Sequence, residues 1–243
     1  MSKKKLNPLK LETPEKFENF LRVLWDEICW AYFYYDMLKV AAELCKQHEE
    51  DVKFSPYFWH FTLQAYCETT LVRLHRIYDQ NNESFNLHRF LLTIKDNKEI
   101  FDPTEVRKRR KSDPHADDLI KAIGPFDPSQ LDHDIEFSSE ANPKVANLKR
   151  WRDRVTFHKD ERELFRQKPF EQEHPLPLAD IEVLLSEAYR MVNRYAQYFN
   201  TTQYSLGCKE WKDMNYVFEA LSHHPYAVRS RAQSAALASL GLG

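Results

Sequence analysis

The chain has 243 residues, and its 35 Lys and Arg nearly balance its 37 Asp and Glu, so its formal charge is −2. It contains only 4 glycines, and a chain with so few residues suited to positive φ is unlike β-sandwiches, barrels and proteins with glycine-rich phosphate loops. The absence of any apolar run of about 18 residues predicts no membrane span.

The cysteines and the N-terminus indicate the cellular compartment in which the protein is expected. The 4 cysteines form no C-x-x-C pair, which excludes a zinc ribbon and makes a disulfide framework unexpected. The first residues, MSKKKLNPLKLE, are charged and lack the apolar segment of a secretory signal. We therefore predict a cytoplasmic protein with reduced thiols and no membrane partner.

Five prolines predict the starts of helices. Each follows a short polar residue whose side chain can accept a hydrogen bond from the first helical turn, and proline at the next position loses no helical bond. The pairs are Thr13-Pro14, Ser55-Pro56, Asp102-Pro103, Asp127-Pro128 and Asn142-Pro143.

The first half of the chain predicts two long helices, over residues 14–47 and 56–78, and a short helix over residues 87–94. In the first, apolar residues alternate at spacings of four and three, which suits packing against a nearly antiparallel helix. The members of this seam are Phe17, Leu21, Leu24, Ile28, Ala31, Tyr35, Leu38, Ala42 and Cys45.

The second half predicts shorter elements before another long helix. Residues 95–139 are polar and contain several prolines, which favours short helices and loops. A helix is predicted from Pro143 to about His158, and a linker over residues 169–177. The last long helix is predicted by a second seam of apolar residues at alternating spacings of four and three. These residues are Ile181, Leu185, Ala188, Val192, Tyr195 and Phe199.

These elements together predict an all-α protein with an up-and-down helical bundle. We predict a flexible N-terminus over residues 1–13, the bundle over residues 14–205 and a short helical C-terminal appendage over residues 206–243.

One cationic segment, residues 149–160, is the main candidate for chemistry. At about 100° per residue, Trp151, Val155 and His158 share one helical stripe, and Arg152 borders it. The spacing alone also describes a core or interface histidine beside a solvated arginine. If the seam met its own copy across a two-fold axis, two arginines and two histidines would share one cleft.

The motif Arg152-Asp153-x4-His158 resembles the R-x(4–6)-H signature of the HEPN superfamily. The text RDRVTFHKD is similar to the motif of abortive-infection U-type HEPN proteins. The stretch from Leu71 to Leu91 and the tryptophan-rich first helix, around Trp25 and Trp30, are further matches in the same order.

This resemblance implies a dimeric helical bundle, HEPN-like in fold, that acts as a metal-independent endoribonuclease in phage defence or in toxin-like growth arrest. His158 would take the proton of the ribose 2′-OH, Arg152 would hold the phosphoryl oxygens, and Asp153 would orient either Arg152 or the histidine of the partner copy. No metal or cofactor is expected. The alternative is a non-catalytic HEPN scaffold that binds a protein or RNA partner, favoured by bulky Phe157 where the family has a small residue.

We expect RNA as the substrate, a second copy of the chain as a partner, and an antitoxin or defence-system protein as a further candidate partner. Arg73 and Arg76 are candidates for lining the RNA cleft, or for pairing with Asp79 and Glu68. The remaining candidates for RNA binding, from the cationic segment, are Lys149, Arg150 and Arg154. Arg154 lies too close to His158 to be the arginine of the motif.

Two other groups are weaker candidates. The five cations from Arg107 to Lys111 would grip RNA phosphates or form a solvated loop, and the second reading is favoured because no aromatic residues interrupt them. A further set has metal-ligand side chains but no recognised spacing, so no metal site is predicted there. This set is His115, Asp117, Asp118, His133 and Asp134.

Overall fold

The computed structural model describes residues 7–9, 11, 13–81, 83–153, 174–206, 212–224 and 228. Within these ranges the regular elements are helices and no strand occurs, so the predicted all-α class is confirmed. No helix in this part of the chain is long and apolar enough to cross a membrane.

The helices follow one another along the chain, and a 3₁₀ turn at Lys98–Phe101 lies between the fourth and fifth. They are α1 (Pro14–Gln47), α2 (Glu49–Val52), α3 (Pro56–Tyr78), α4 (Leu87–Asp96), α5 (Pro103–Arg109), α6 (Ala116–Ile123), α7 (Pro128–Phe137), α8 (Pro143–Trp151), α9 (Leu178–Asn200) and α10 (Lys212–Ser222).

All five predicted proline starts are confirmed, at α1, α3, α5, α7 and α8. In three of them the preceding side chain accepts a backbone N–H of the first turn. Asp102 accepts from Thr104 at 2.8 Å, and Asp127 accepts from Ser129 at 2.9 Å. Asn142 accepts from the amide of Lys144 at 3.0 Å, which fixes where α8 begins.

The chain forms two compact units. The first comprises residues 1–32 and 71–206, and the second comprises residues 33–70 and 207–243. The predicted division at residues 13 and 205 follows the sequence motifs and remains a prediction.

The core of the first unit is aromatic. The ring of Phe17 on α1 lies 5.3 Å from Phe90 on α4 and 4.7 Å from Phe199 on α9, measured between centroids. The predicted seam of α9 is buried along its whole length, from Ile181 to Phe199. This core holds α1, α4 and α9 together.

The second unit has its own small core, in which Trp59 stacks on Phe218 at 4.3 Å between ring centroids. Here one detail of the predicted α1 seam is wrong. Ala42 is exposed, and Ala41 and Leu44 are buried instead. Ala41 and Leu44 pack in one cluster with Trp59, Met214 and Phe218, so the partners at this end of α1 decide which of its faces is buried.

Two contacts place the end of α3 and the start of α8 within the first unit. The hydroxyl of Tyr78, the last residue of α3, donates to the carbonyl of Leu184 on α9 at 2.7 Å. The ammonium of Lys144 on α8 binds the carboxylate of Asp180 on α9. The side chains that follow these anchors form the candidate site.

Candidate functional site

A narrow crevice lies between α8 and the C-terminal end of α3. Both helices line it with a mixture of apolar and charged groups. The lining residues are His75, Tyr78, Asp79, Gln80, Val145, Leu148, Lys149 and Arg152.

The helical register of α8 explains which of its residues reach the crevice. Val145 and Leu148 are buried and anchor the helix. Lys149 lies four residues after Val145, and Arg152 lies four residues after Leu148, so each shares the side of the helix of its anchor. Arg152 keeps helical backbone angles, with φ −54° and ψ −53°.

Arg152 is held by two carboxylates. Its Nε donates to Oδ1 of Asp153 at 2.8 Å, and its Nη1 donates to Oδ1 of Asp79 at 2.6 Å. Burial lowers the pKa of the guanidinium, but hydrogen bonds and charges from Asp153 and Asp79 outweigh it and raise the pKa above its ordinary value. The side chain remains 27% exposed, and these two bonds use only part of its donor set.

His75 is a crevice residue that sequence reasoning missed. It is only 4% exposed, and burial, followed by the nearby charge of Arg152, lowers its pKa to about 3. The imidazole is therefore neutral at pH 7. Its four-residue spacing from Asp79, inside the stretch from Leu71 to Leu91, was the available sequence signal.

Lys149 and Arg150 differ in their surroundings. The ammonium of Lys149 binds the carboxylate of Glu140. Arg150 is exposed, and with Asp153 it borders an open surface pocket that Lys149 also lines. Of these two cations, Arg150 is thus the more accessible to an anionic ligand.

The comparison with known proteins bears on this site. Residues 14–216, which include the whole crevice, match the family model described as AbiU2, a HEPN family. The chain belongs to the AbiU2 family of HEPN proteins. No curated protein and no solved structure matches it. The predicted family and the HEPN-like helical fold are thereby confirmed.

In this AbiU2-family chain, Arg73 and Arg76 pair with neither predicted partner. Both bind Glu27 on α1, at 2.9 Å and 3.5 Å. Asp79 binds Arg152 instead, and the carboxylate of Glu68 accepts a hydrogen bond from a glutamine one turn away. The proposed contact of Arg73 and Arg76 with RNA remains a prediction.

Other residues of the AbiU2 motif lie outside the described part of the chain. These are Arg154, Phe157 and His158, together with the predicted end of the helix at His158. The Arg152–His158 pair is therefore a prediction from the sequence, with the position of Arg152 given by the structure.

The cationic run on α5 and beyond is mostly engaged with the protein itself. Arg109 donates to the carbonyl of Phe199 at 2.7 Å and lies over its ring, 4.2 Å from the centroid. Arg107 pairs with Asp117 at 3.0 Å, and Arg110 pairs with Asp113 at 2.5 Å. The two predicted roles of this run were to grip RNA phosphates or to form a solvated loop. Neither describes Arg109, which has a structural role.

The residues with metal-ligand side chains are also dispersed or engaged. Asp134 is fully buried, accepts from the hydroxyl of Tyr195 at 2.9 Å and binds the guanidinium of Arg194. Burial raises the pKa of its carboxyl despite these bonds. Among the described residues, no group of three or more His, Cys, Asp or Glu is arranged to hold a metal ion.

Proposed function

We propose that this AbiU2-family protein is a metal-independent endoribonuclease that acts as a homodimer in phage defence or in toxin-like growth arrest. The observation that carries the proposal is the position of Arg152. The arginine of the R-x(4–6)-H motif lies at a crevice, is held in place by carboxylates and is still partly exposed.

In the proposed reaction, the ribose 2′-oxygen attacks the adjacent phosphorus. The imidazole of His158 takes the 2′-OH proton, since an unperturbed histidine has a pKa near 6.5. The new P–O2′ bond closes a 2′,3′-cyclic phosphate, and the P–O5′ bond breaks. The departing 5′-oxygen takes a proton from an imidazolium.

Arg152 would bind the phosphoryl oxygens, on which charge accumulates in the transition state. Removal of one such stabilising group typically costs about 3–4 kcal/mol, which is a loss of roughly 10²- to 10³-fold in rate. Asp153 would contribute by fixing the Nε edge of the guanidinium, at 2.8 Å.

The remaining predicted cations would follow the RNA backbone. Arg76 and Arg150 are exposed, and Arg73 is partly so. Lys149 and Arg154 complete the proposed set. A second copy of the chain would supply the other half of the cleft, and an antitoxin or a defence-system protein would control it.

A non-catalytic scaffold is the second candidate. It is favoured by the same two carboxylates, because an arginine bound by Asp79 and Asp153 also describes a structural ion pair. The bulky Phe157 beside the histidine supports this alternative from the sequence.

The test is cleavage of single-stranded RNA in EDTA by wild type, His158→Ala and Arg152→Ala, with the exposed His223→Ala as the matched control. We expect wild type and the control to cleave, and both motif variants to lose at least about 10²-fold. Equal cleavage by all four proteins would contradict the assignment. Loss of wild-type activity in EDTA would contradict metal independence.

Growth on overexpression separates the two candidates. An active ribonuclease slows growth, and His158→Ala relieves this effect. A wild-type protein that neither cleaves RNA nor slows growth supports the scaffold.

A further inference from the structure

The carboxylate of Asp79 joins α3 to the motif arginine over a long stretch of sequence. Its Oδ1 accepts from Nη1 of Arg152 at 2.6 Å, although the two residues are 73 positions apart. Asp79 lies immediately after the last residue of α3. A negative charge is unfavourable at a helix C-terminus, so the position of this acid is not explained by the stability of α3.

Among the described residues that line the crevice, the other basic side chains, Lys149 and His75, do not compete for this carboxylate. Lys149 is bound by Glu140. His75, one turn before Asp79, is neutral at pH 7 because burial and then the charge of Arg152 disfavour its protonation, with a pKa of about 3. Arg152 is thus the cation that the carboxylate of Asp79 binds.

Asp79 is itself oriented by a hydroxyl. The hydroxyl of Ser84 lies 3.1 Å from its Oδ2 and 3.0 Å from the carbonyl of Asn81. Its single proton goes to the carboxylate, because a charged acceptor forms the stronger hydrogen bond, so the two carboxylate oxygens have different partners. The amide of Asn86, a fully buried residue that caps α4, donates to the same hydroxyl oxygen at 3.1 Å. A continuous chain of hydrogen bonds therefore runs from the buried start of α4, through Ser84 and Asp79, to Arg152.

We propose that Asp79 is a positioning residue that fixes the guanidinium of Arg152 for phosphate binding, and that Ser84 orients Asp79. This inference rests on the proposed ribonuclease function. Asp79 and Asp153 hold the guanidinium from two sides, at Nη1 and Nε, and leave its remaining donors for a phosphoryl group. Neither Asp79 nor Ser84 needs to touch the RNA.

A positioning role has a characteristic kinetic signature. Asp79→Asn removes the charge but retains the shape, so Arg152 is less well fixed while its own attraction for phosphate is undiminished. We expect kcat to fall by about 10- to 100-fold, because small misplacements of a catalytic group have effects of this size. KM should stay unchanged or decrease, since one negative charge near the RNA is lost.

Two further variants sharpen the test. Ser84→Ala leaves both charges in place and should lower kcat by roughly fivefold, with KM unchanged. Asp132→Asn is the matched control. Asp132 does not line the crevice, and it forms an exposed ion pair with Lys95, with 2.8 Å between Nζ and Oδ1. It should retain wild-type kcat and KM.

The relation between Asp79 and Arg152 is tested by combining variants. In an Arg152→Lys background, Asp79→Asn should lower kcat by much less than it does in wild type, because the two residues act as one unit. Urea unfolding of each variant is measured in parallel. Loss of stability with an unchanged kcat would show that the ion pair is only structural.

The outcomes separate this inference from the proposed function. If wild type cleaves RNA, Arg152→Ala is inactive and Asp79→Asn has full kcat, the inference is overturned and the function stands. If Asp79→Asn raises KM instead of lowering kcat, Asp79 does not position the arginine. A wild-type protein that does not cleave RNA overturns both.

Discussion

The indole N–H of Trp151 donates to the backbone carbonyl of His174 at 2.7 Å. A second bond, from the side-chain amide of Asn147 to the carbonyl of Pro175 at 2.9 Å, lies one turn earlier on α8. Together they join the end of α8 to the segment before α9. The residue that follows Trp151 is Arg152, so these two bonds hold the helix end that carries the motif arginine.

Trp151→Phe tests this attachment. It keeps an aromatic ring but removes the donor, so we expect a loss of about 1 kcal/mol in the free energy of unfolding. Urea titration measures this change. Asn147→Ala should lose a smaller amount because its bond is more exposed. Unfolding curves of Trp151→Phe that superimpose on wild type would contradict the role of this bond.

The buried His75 predicts a specific dependence of stability on pH. Its pKa is lowered to about 3, mainly by burial, against an ordinary value of 6.5. Between these values the unfolded chain binds a proton that the folded chain does not, so folding stability falls as the pH decreases. For this group alone, linkage gives a loss of about 2 kcal/mol between pH 7 and pH 5.

His75→Gln isolates that contribution, because glutamine is polar and does not titrate. Between pH 7 and pH 5, the free energy of unfolding of this variant should fall by about 2 kcal/mol less than that of wild type. His223→Ala, at an exposed position, is the control and should follow wild type. A parallel pH dependence in His75→Gln and wild type would mean that His75 is not held neutral.

Substitutions at Glu27 and at Arg76 should have opposite effects on RNA affinity. Because it binds both Arg73 and Arg76, Glu27→Gln should strengthen RNA binding several-fold at low salt, and Arg76→Gln should weaken it. Each lost phosphate contact reduces the slope of log affinity against log salt by about 0.7 on a single strand. Fluorescence anisotropy in a His158→Ala background measures both.

Asp132→Asn makes the same change in net charge as Glu27→Gln at a different ion pair. It should leave RNA affinity nearly unchanged. Equal strengthening by both variants would assign the effect to net charge and not to Arg73 and Arg76.

The cationic run predicts a contrast between two neighbouring residues. Arg109 donates to the carbonyl of Phe199 and packs on its ring, so Arg109→Ala should cost about 2–4 kcal/mol of stability. Lys111 is exposed, and Lys111→Ala should change stability by less than about 0.5 kcal/mol. Thermal unfolding distinguishes them, and similar melting temperatures would contradict the structural role of Arg109.

The helices were predictable because their signals are local. A capping residue followed by proline, as at Asp127-Pro128, acts within one turn and needs no tertiary information. The seam of α9 was equally readable from its spacing. The phase of α1 was not, because whether Ala41 or Ala42 is buried depends on the packing partners at that end of the helix.

The ion pairs were less predictable, since charged side chains choose partners by proximity in the fold. Glu27, on a different helix, binds Arg73, and no sequence spacing indicates this. Asp79 likewise reaches Arg152 across 73 positions. The sequence identified the motif arginine through a family resemblance, and only the structure identified the acid and the buried histidine beside it.

The end of α9 offers a simple route to a more robust sample for biochemistry. Thr201 follows this helix with φ 58°, a left-handed conformation that is unfavourable for a β-branched residue, and its hydroxyl oxygen is buried without a hydrogen-bond partner. Thr201→Gly should relieve both problems and raise the melting temperature. Because Thr201 lies outside the crevice lining, such a background would support purification of weakened variants without altering the chemistry being measured.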